Sequence, residues 1–412
     1  MADSKPAAYT GTAAPAFVAE ITERVRPNVK LIGLLALGHL VVDVNQGSLP
    51  AVLPFLKAAH HLSYAEAATI VLAANVTSSI IQPLFGYFAD RVARRWLLPL
   101  AVLLSGMGLG LTGVAPGYGT LLLLIAVMGL GVAAYHPEGY KTASSVAGDR
   151  KATALSWFSL GGNVGIALGP PVITTLVTGL GLAGSLGMLA PTALVGALLL
   201  AALPMLAPSA PSPAAPDAAP VRGVHMPRAM ALLILVVTIR SWTQLGFTTF
   251  VPFYYVDYLK ADPRLVGPLL FVFLGAGALG TVIAGPLADR WGARPFMSWV
   301  FLAAAPLGVL FLMARGALAF VALGLFGAVL VSSFTVAVVL GQAYLPRNAG
   351  MASGLIVGFA LGAGGLGVTV LGWIADHYGL PAALWISALL PLAGFLVARF
   401  LPSPRDRQSL TR

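Results

Sequence analysis

The chain has 412 residues, of which 58% are hydrophobic and only 9% are charged. A soluble domain carries about 25% charged residues, so a chain this long and this apolar is expected to be solvated by lipid. The formal net charge of +10 is spread over the gaps between apolar runs, which argues against nucleic-acid binding, and the absence of cysteine excludes disulfides, thiolate metal sites and cysteine nucleophiles.

Residues 1–28 lack the features of a signal peptide, and we interpret them as a cytoplasmic tail. Twelve apolar segments follow, each near the ~20 residues needed to cross the hydrocarbon layer. Their predicted limits are 30–56, 63–89, 95–114, 118–141, 151–178, 181–206, 228–258, 264–288, 294–314, 316–342, 348–376 and 380–401.

The segments are divided by a linker rich in proline and alanine at 207–227, which is predicted to be cytoplasmic. We therefore expect a first bundle at 29–206, a second at 228–401 and a cytoplasmic tail at 402–412. With the N-terminus inside, 19 Lys and Arg lie on the inner side and 4 on the outer side. This bias predicts that both termini are cytoplasmic, in a bacterial inner membrane.

A loop motif reveals a duplication. Gly86 to Arg91 contains a Gly-x-x-x-Asp-Arg pattern that recurs at Gly285 to Arg290, 199 positions later, with a shorter echo at Gly372 to Asp376. Two homologous halves predict an all-α integral membrane protein with 12 transmembrane helices in two pseudo-symmetric six-helix bundles. Membrane transporters built from two such halves have their substrate site between the halves, near the membrane midplane.

The helix count, the repeat and the loop motifs resemble the major facilitator superfamily over roughly residues 30–400. Several stretches resemble its fosmidomycin-resistance-type exporters more closely: Gln46–Pro54, Thr77–Ser79, Gln82–Gly86, His136–Gly139, Gly161–Pro170 and Gly350–Leu355. The resemblance implies the major facilitator fold and drug efflux that confers antibiotic resistance. Two features depart from the exporter pattern: Ile125 stands where exporters often have an arginine, and the pattern after Pro170 lacks its glycine pair.

Helix 1 carries His39, Asp43 and Gln46 on one face, at spacings of four and three residues. An ionisable side chain at the centre of a membrane helix costs at least ~2.5–3.5 kcal/mol, so it needs a partner or a wet cavity. We predict proton coupling at Asp43 and His39 and substrate contact at Gln46. The alternative is a structural acid satisfied by neighbouring helices.

Helix 7 carries Arg240 and Gln244, and repeat alignment places Arg240 one position from the depth of Asp43. A guanidinium fork binds carboxylate or phosphonate through two hydrogen bonds, so Arg240 is a candidate anchor for an anionic substrate. Gln244 is a second candidate contact. The alternative is a permanent Asp43–Arg240 salt bridge.

Helix 4 carries His136, a candidate substrate contact, and Glu138, a candidate proton-coupling group. Neither belongs to a zinc-binding motif, so we expect no metal site and no cofactor other than the proton gradient.

Helix 5 carries Asn163, a candidate substrate contact, followed by Gly165, Gly169 and Pro170. We interpret these last three as packing residues, because small residues let membrane helices approach closely. Ligand contact is the alternative.

The two loop copies predict a conformational latch that closes the cytoplasmic side and favours the outward-facing state. Its candidate residues are Gly86, Asp90, Arg91, Gly285, Asp289 and Arg290. The alternative is a loop that only sets topology. Under the predicted topology Asp376 lies outside, so we interpret the third copy as a relic of the repeat.

Together these features predict a proton-coupled antiporter that exports a small toxic compound, anionic or amphipathic, such as a fosmidomycin-like antibiotic, by alternating access. The partners we expect are the substrate, protons and the bilayer, without nucleic acid, and the chain is expected to be a monomer. One alternative is a proton-coupled importer of an organic acid or sugar. Another is a membrane sensor or scaffold without transport. No pattern indicates an enzyme.

Overall fold

A computed structural model describes residues 27–82, 84–85, 95–148, 150–206 and 225–402. Within these ranges the regular secondary structure is helical, and there is no strand. The tails, most of the linker and the loop residues Gly86, Asp90 and Arg91 lie outside the described residues.

The first half contains six long helices. They are α1 (Val29–His60), α2 (Tyr64–Asn75, continued by a π-helical turn, Val76–Ile80), α3 (Leu97–Gly110), α4 (Tyr118–Ser145), α5 (Lys151–Leu180) and α6 (Leu189–Ala202). The second half repeats this number. Its helices are α7 (Pro227–Phe253, continued by a π-helical turn, Tyr254–Tyr258), α8 (Val266–Trp291), α9 (Ala293–Met313), α10 (Ala317–Tyr344), α11 and α12 (Leu380–Ala398).

The helix α11 is one run built from Ala349–Gly354, a π-helical turn (Leu355–Ala360) and Leu361–Tyr378. Ten helices of the described chain are long and apolar enough to cross a membrane. The other two of the twelve helices are α2 and α11. The predicted all-α fold with twelve membrane segments is confirmed.

The packing of the halves differs between the two ends of the bundle. At the predicted outer end, one hydrophobic core contains residues of both halves, such as Leu53 of α1 and Phe250 of α7. At the predicted cytoplasmic end, the described residues form separate cores, one around Leu35 and Tyr135 and another around Leu233. With the predicted orientation, the structure is therefore inward-facing.

Glycines set the closest helix contacts within the first half. A Cβ added at Gly165 would collide with the carbonyl oxygen of Leu40, and one at Gly169 would collide with that of Val44. Because α1 and α5 touch along their backbones, any side chain at these two positions would push the helices apart. This contact brings α5 against the face of α1 that carries His39 and Asp43.

Candidate transport site

Three side chains from two helices meet around a buried carboxylate in the first half. Asp43 lies in the middle of α1 and is only 5% exposed. One helical turn earlier, His39 places its Nε2 atom 3.3 Å from Asp43 Oδ2. From α4, His136 places its Nε2 atom 3.6 Å from Asp43 Oδ1. We call these three residues the carboxylate–histidine cluster.

Backbone carbonyls fix the protonation pattern of both imidazoles. His39 Nδ1 lies 2.8 Å from the carbonyl oxygen of Phe158, and His136 Nδ1 lies 2.8 Å from that of Val132. A carbonyl oxygen only accepts, so each Nδ1 carries a hydrogen. In a neutral ring each Nε2 then presents a lone pair to the carboxylate. Each becomes attractive to Asp43 only when it binds a second proton.

The cluster is enclosed by residues that the sequence analysis did not select. The ring of Phe158 on α5 stacks on His39 with centroids 4.3 Å apart. Tyr135 donates its hydroxyl to the carbonyl oxygen of Leu35, 2.7 Å away. A Cβ added at Gly162 would lie 2.5 Å from His39 Nε2 and 2.7 Å from Asp43 Oδ2. The Gly161-Gly162 doublet is a signal in the sequence that could have indicated this close approach.

In the second half, Arg240 is 3% exposed, and its guanidinium lies over the ring of Phe334 on α10, 5.1 Å from the centroid. Arg240 forms no ion pair with any described residue, and its Nε atom has no hydrogen-bond partner. A desolvated cation–π contact supplies about 2 kcal/mol. Burial of a charge costs several kcal/mol, which this contact alone does not offset.

The permanent Asp43–Arg240 salt bridge considered above is not formed in this structure. The carboxylate of Asp43 is instead paired with the two histidines. His136, predicted to contact substrate, therefore lies beside Asp43, which was predicted to couple transport to protons.

The remaining candidate site residues differ in how far they are buried. Glu138 on α4 is 1% exposed. Gln46 on α1 and Gln244 on α7 are half-buried, and Asn163 on α5 is exposed. Their assignment to substrate or proton stays a prediction.

The described part of the latch candidates lies at the predicted cytoplasmic end of α8. Asp289 and Arg290 are exposed, and neither belongs to an ion pair between described residues. A Cβ added at Gly285 would meet no atom within 4 Å. An open cytoplasmic end is the state in which this latch is expected to be released, so the latch stays a prediction.

A small cation would also find suitable donors in the carboxylate–histidine cluster. The nitrogen and oxygen donors of its three residues lie within 4.8 Å of one another, and the described chain contains no other such group. The sequence offered no spacing motif for this arrangement, because the donors come from separate helices. That the protein uses no metal remains an expectation.

Comparisons with known proteins agree with this architecture. The sequence profile of the Major Facilitator Superfamily matches residues 35–356 and 255–412. The fosmidomycin resistance protein of Escherichia coli (strain K12) is 31% identical over 392 residues, which cover 94% of this chain and 96% of that protein. The uncharacterized MFS-type transporter YfnC of Bacillus subtilis (strain 168) is 33% identical over 388 residues, covering 92% and 93%.

Solved structures show the same fold. The nucleoside transporter NupG superposes with a TM-score of 0.72 over 91% of this chain and 99% of that chain, at 14% identity. At that identity the likeness concerns the fold alone. The profile match and the full-length relatives show more: the chain belongs to the Major Facilitator Superfamily, and it is a multi-pass membrane transporter rather than an enzyme.

Proposed function

We propose that this protein is a proton-coupled antiporter that exports a small anionic compound, with fosmidomycin as the first candidate substrate. The observation that carries the proposal is Arg240, a buried cation that forms no ion pair with a described residue, in a chain related along its length to a fosmidomycin resistance protein. Fosmidomycin carries a phosphonate, which is the kind of group that a guanidinium binds through two hydrogen bonds.

The carboxylate–histidine cluster is the proposed proton site. Export against a concentration gradient needs a driving ion, and Nε2 of His39 or His136 can bind a proton beside Asp43. With both termini in the cytoplasm, the open end of the bundle admits the substrate from the cytoplasm. Rocking of the two halves then exposes the same site to the outside.

A second candidate function is proton-coupled import of an organic acid or sugar. One consideration favours it: a protonated cluster in the first half and Arg240 in the second half are both positive, so an anion between the halves would be attracted by both, and proton and anion would bind together rather than in turn. The sign of coupled proton movement separates the two functions, because an antiporter moves proton and substrate in opposite directions.

Arg240→Gln tests the anion anchor. Loss of a charge-assisted hydrogen bond costs about 1.5–3 kcal/mol, so fosmidomycin binding to purified protein should weaken roughly tenfold to a hundredfold. A neutral phosphonate diester of the same size should bind the variant and the parent equally. In a bacterial strain that lacks its own exporter, the variant should not protect against fosmidomycin.

Arg315→Gln is the matched control, because Arg315 donates only to the local carbonyl oxygens of Leu312 and Ala314 at the predicted outer end. It should bind and protect as the parent does. If Arg240→Gln weakens the charged and neutral ligands equally, or weakens neither, the anchor role is wrong.

A further inference from the structure

The third copy of the loop motif makes a contact between the two halves. Asp376 lies in the last turns of α11, in the second half. Its Oδ1 accepts from the backbone N–H of Tyr64, 2.7 Å away, and its Oδ2 accepts from that of Ala65, 2.9 Å away. Both donors belong to the first turn of α2, in the first half. The interpretation of this copy as a relic does not agree with these contacts.

The carboxylate completes the cap of α2. Ser63 already accepts from the N–H of Glu66, and Glu66 accepts from the N–H of Ser63, which makes a capping box. The N–H groups of Tyr64 and Ala65 have no acceptor within their own helix, and Asp376 satisfies both. An anion is favoured at a helix N-terminus and disfavoured at a helix C-terminus. Asp376 is therefore badly placed for α11 and well placed for α2.

A second carboxylate crosses between the halves nearby. Tyr64 donates its hydroxyl to Asp257 Oδ2, 3.0 Å away, and Lys57 Nζ lies 3.4 Å from the same oxygen. Lys57 also lies over the ring of Tyr64, 4.4 Å from its centroid. Lys57 and Tyr64 belong to the first half, whereas Asp257 follows α7 in the second. Donors from one half thus hold two acids from the other.

Gly372 makes the contact sterically possible. A Cβ added there would lie 2.8 Å from the carbonyl oxygen of Tyr64 and 2.9 Å from the Cα atom of Ala65. The two helix backbones therefore touch at this position. One turn later, Asp376 reaches the cap. The Gly-x-x-x-Asp spacing thus supplies first the close approach and then the acceptor.

We propose that Gly372 and Asp376, with Tyr64, Asp257 and Lys57, form an outer latch that stabilises the inward-facing state. The hydrogen bonds of Asp376 and Asp257, the pair of Lys57 with Asp257 and the close approach at Gly372 all join the two halves at the predicted outer end. Opening of that end must break all of them before substrate can leave on that side. The latch does not depend on which compound is carried, and it acts in the absence of substrate.

The same motif then has opposite effects at the two ends of the bundle. The copies with Asp90 and Asp289 fall at the predicted cytoplasmic end, where a contact between halves would favour the outward-facing state. The copy with Asp376 falls at the predicted outer end and favours the inward-facing state. The transport cycle would exchange one set of contacts for the other.

The test measures the distance between the outer ends of the halves. Spin labels are attached at Leu180, at the end of α5, and at Leu318, at the start of α10, which are 71% and 54% exposed. The chain has no native cysteine, so only the two introduced cysteines are labelled. Distance distributions of the full chain in lipid nanodiscs, without substrate, give the populations of both states.

Asp376→Ala should raise the outward-facing population relative to the inward-facing one by about twofold to fivefold, the range expected for an exposed anion at a helix N-terminus. Gly372→Ala should shift it in the same direction through the steric clash. Asp262→Ala is the control, because Asp262 accepts only from the N–H of Arg264 in its own loop. It removes a charge from the same end and should leave the populations unchanged.

Melting temperatures of all three variants show whether each one folds. Populations that stay at the parent ratio in folded Asp376→Ala would overturn the latch. An equal shift in Asp262→Ala would also overturn it, since the effect would then be one of surface charge. If Asp376→Ala does not fold, Gly372→Ala alone decides.

Discussion

Gly162→Ala should uncouple transport without touching the substrate anchor. The added methyl would lie 2.5 Å from His39 Nε2 and 2.7 Å from Asp43 Oδ2, whereas ordinary contacts begin at 3.4 Å. The two groups must therefore retreat by about 0.9 and 0.7 Å, the differences between those distances. When His39 Nε2 holds a proton, its contact with Asp43 Oδ2, 3.3 Å in this structure, then lengthens beyond the range of a hydrogen bond.

The size of the effect follows from Coulomb's law. At an effective dielectric constant of about 20, stretching a pair of unit charges from 3.3 Å to about 4.2 Å weakens it by about 1 kcal/mol. Such a loss corresponds to roughly a fivefold change in an equilibrium. Proton-driven fosmidomycin transport should fall by about that factor. Binding of fosmidomycin at equilibrium should stay near the parent value, because Arg240 lies in the other half.

The assay is uptake into proteoliposomes under an imposed pH gradient, with binding measured separately on the same preparation. Gly33→Ala is the matched control, because Gly33 lies in α1 of the same half and a Cβ there meets no atom within 4 Å. It should transport as the parent does. Full pH-driven uptake by Gly162→Ala, with an unchanged melting temperature, would refute the reasoning that the cluster couples transport to protons.

Two further variants test the groups around the cluster. Asp43→Asn keeps the shape of the side chain but removes the charge that attracts a protonated imidazole. We expect pH-driven uptake to disappear while equilibrium exchange of substrate continues. Loss of both activities would indicate that Asp43 is a structural acid. Tyr135→Phe removes the hydroxyl that donates to the carbonyl oxygen of Leu35, a buried bond of 2.7 Å. Its unfolding free energy should fall by about 1 kcal/mol, seen as a lower melting temperature, with coupling retained.

The fold could be predicted from the sequence because its determinants are local. Runs of ~20 apolar residues give membrane helices, and a repeated loop motif gives two halves. The spacing of four residues between His39 and Asp43 likewise places both on one helical face, and in the structure His39 Nε2 lies 3.3 Å from Asp43 Oδ2.

The rest of the site depends on contacts between helices, and these leave little trace in the sequence. His136 reaches Asp43 from α4, and Gly162 admits both from α5, although neither lies near Asp43 in the chain. Alignment of the halves predicts the depth of Arg240. It does not predict that Arg240 and Asp43 form no ion pair in this structure, because the pairing of a charge depends on which neighbours are closest in three dimensions.

The hydrogen bonds of Asp376 were not predicted from the sequence, for a related reason. Topology alone placed it at the predicted outer end, away from the cytoplasmic end where the latch of Asp90 and Asp289 is predicted. The fold supplies a different partner, the N-terminus of α2, because α2 and α11 run antiparallel across the boundary between the halves.

The most direct test of the central claim is the sign of proton movement coupled to substrate. Proteoliposomes containing the protein are loaded with fosmidomycin and a pH-sensitive dye and are then diluted into buffer without fosmidomycin. Proton-coupled antiport predicts that the lumen becomes acidic as fosmidomycin leaves, and that Asp43→Asn abolishes the signal. A lumen that becomes alkaline would establish co-transport, and fosmidomycin efflux without any change of pH would contradict proton coupling altogether.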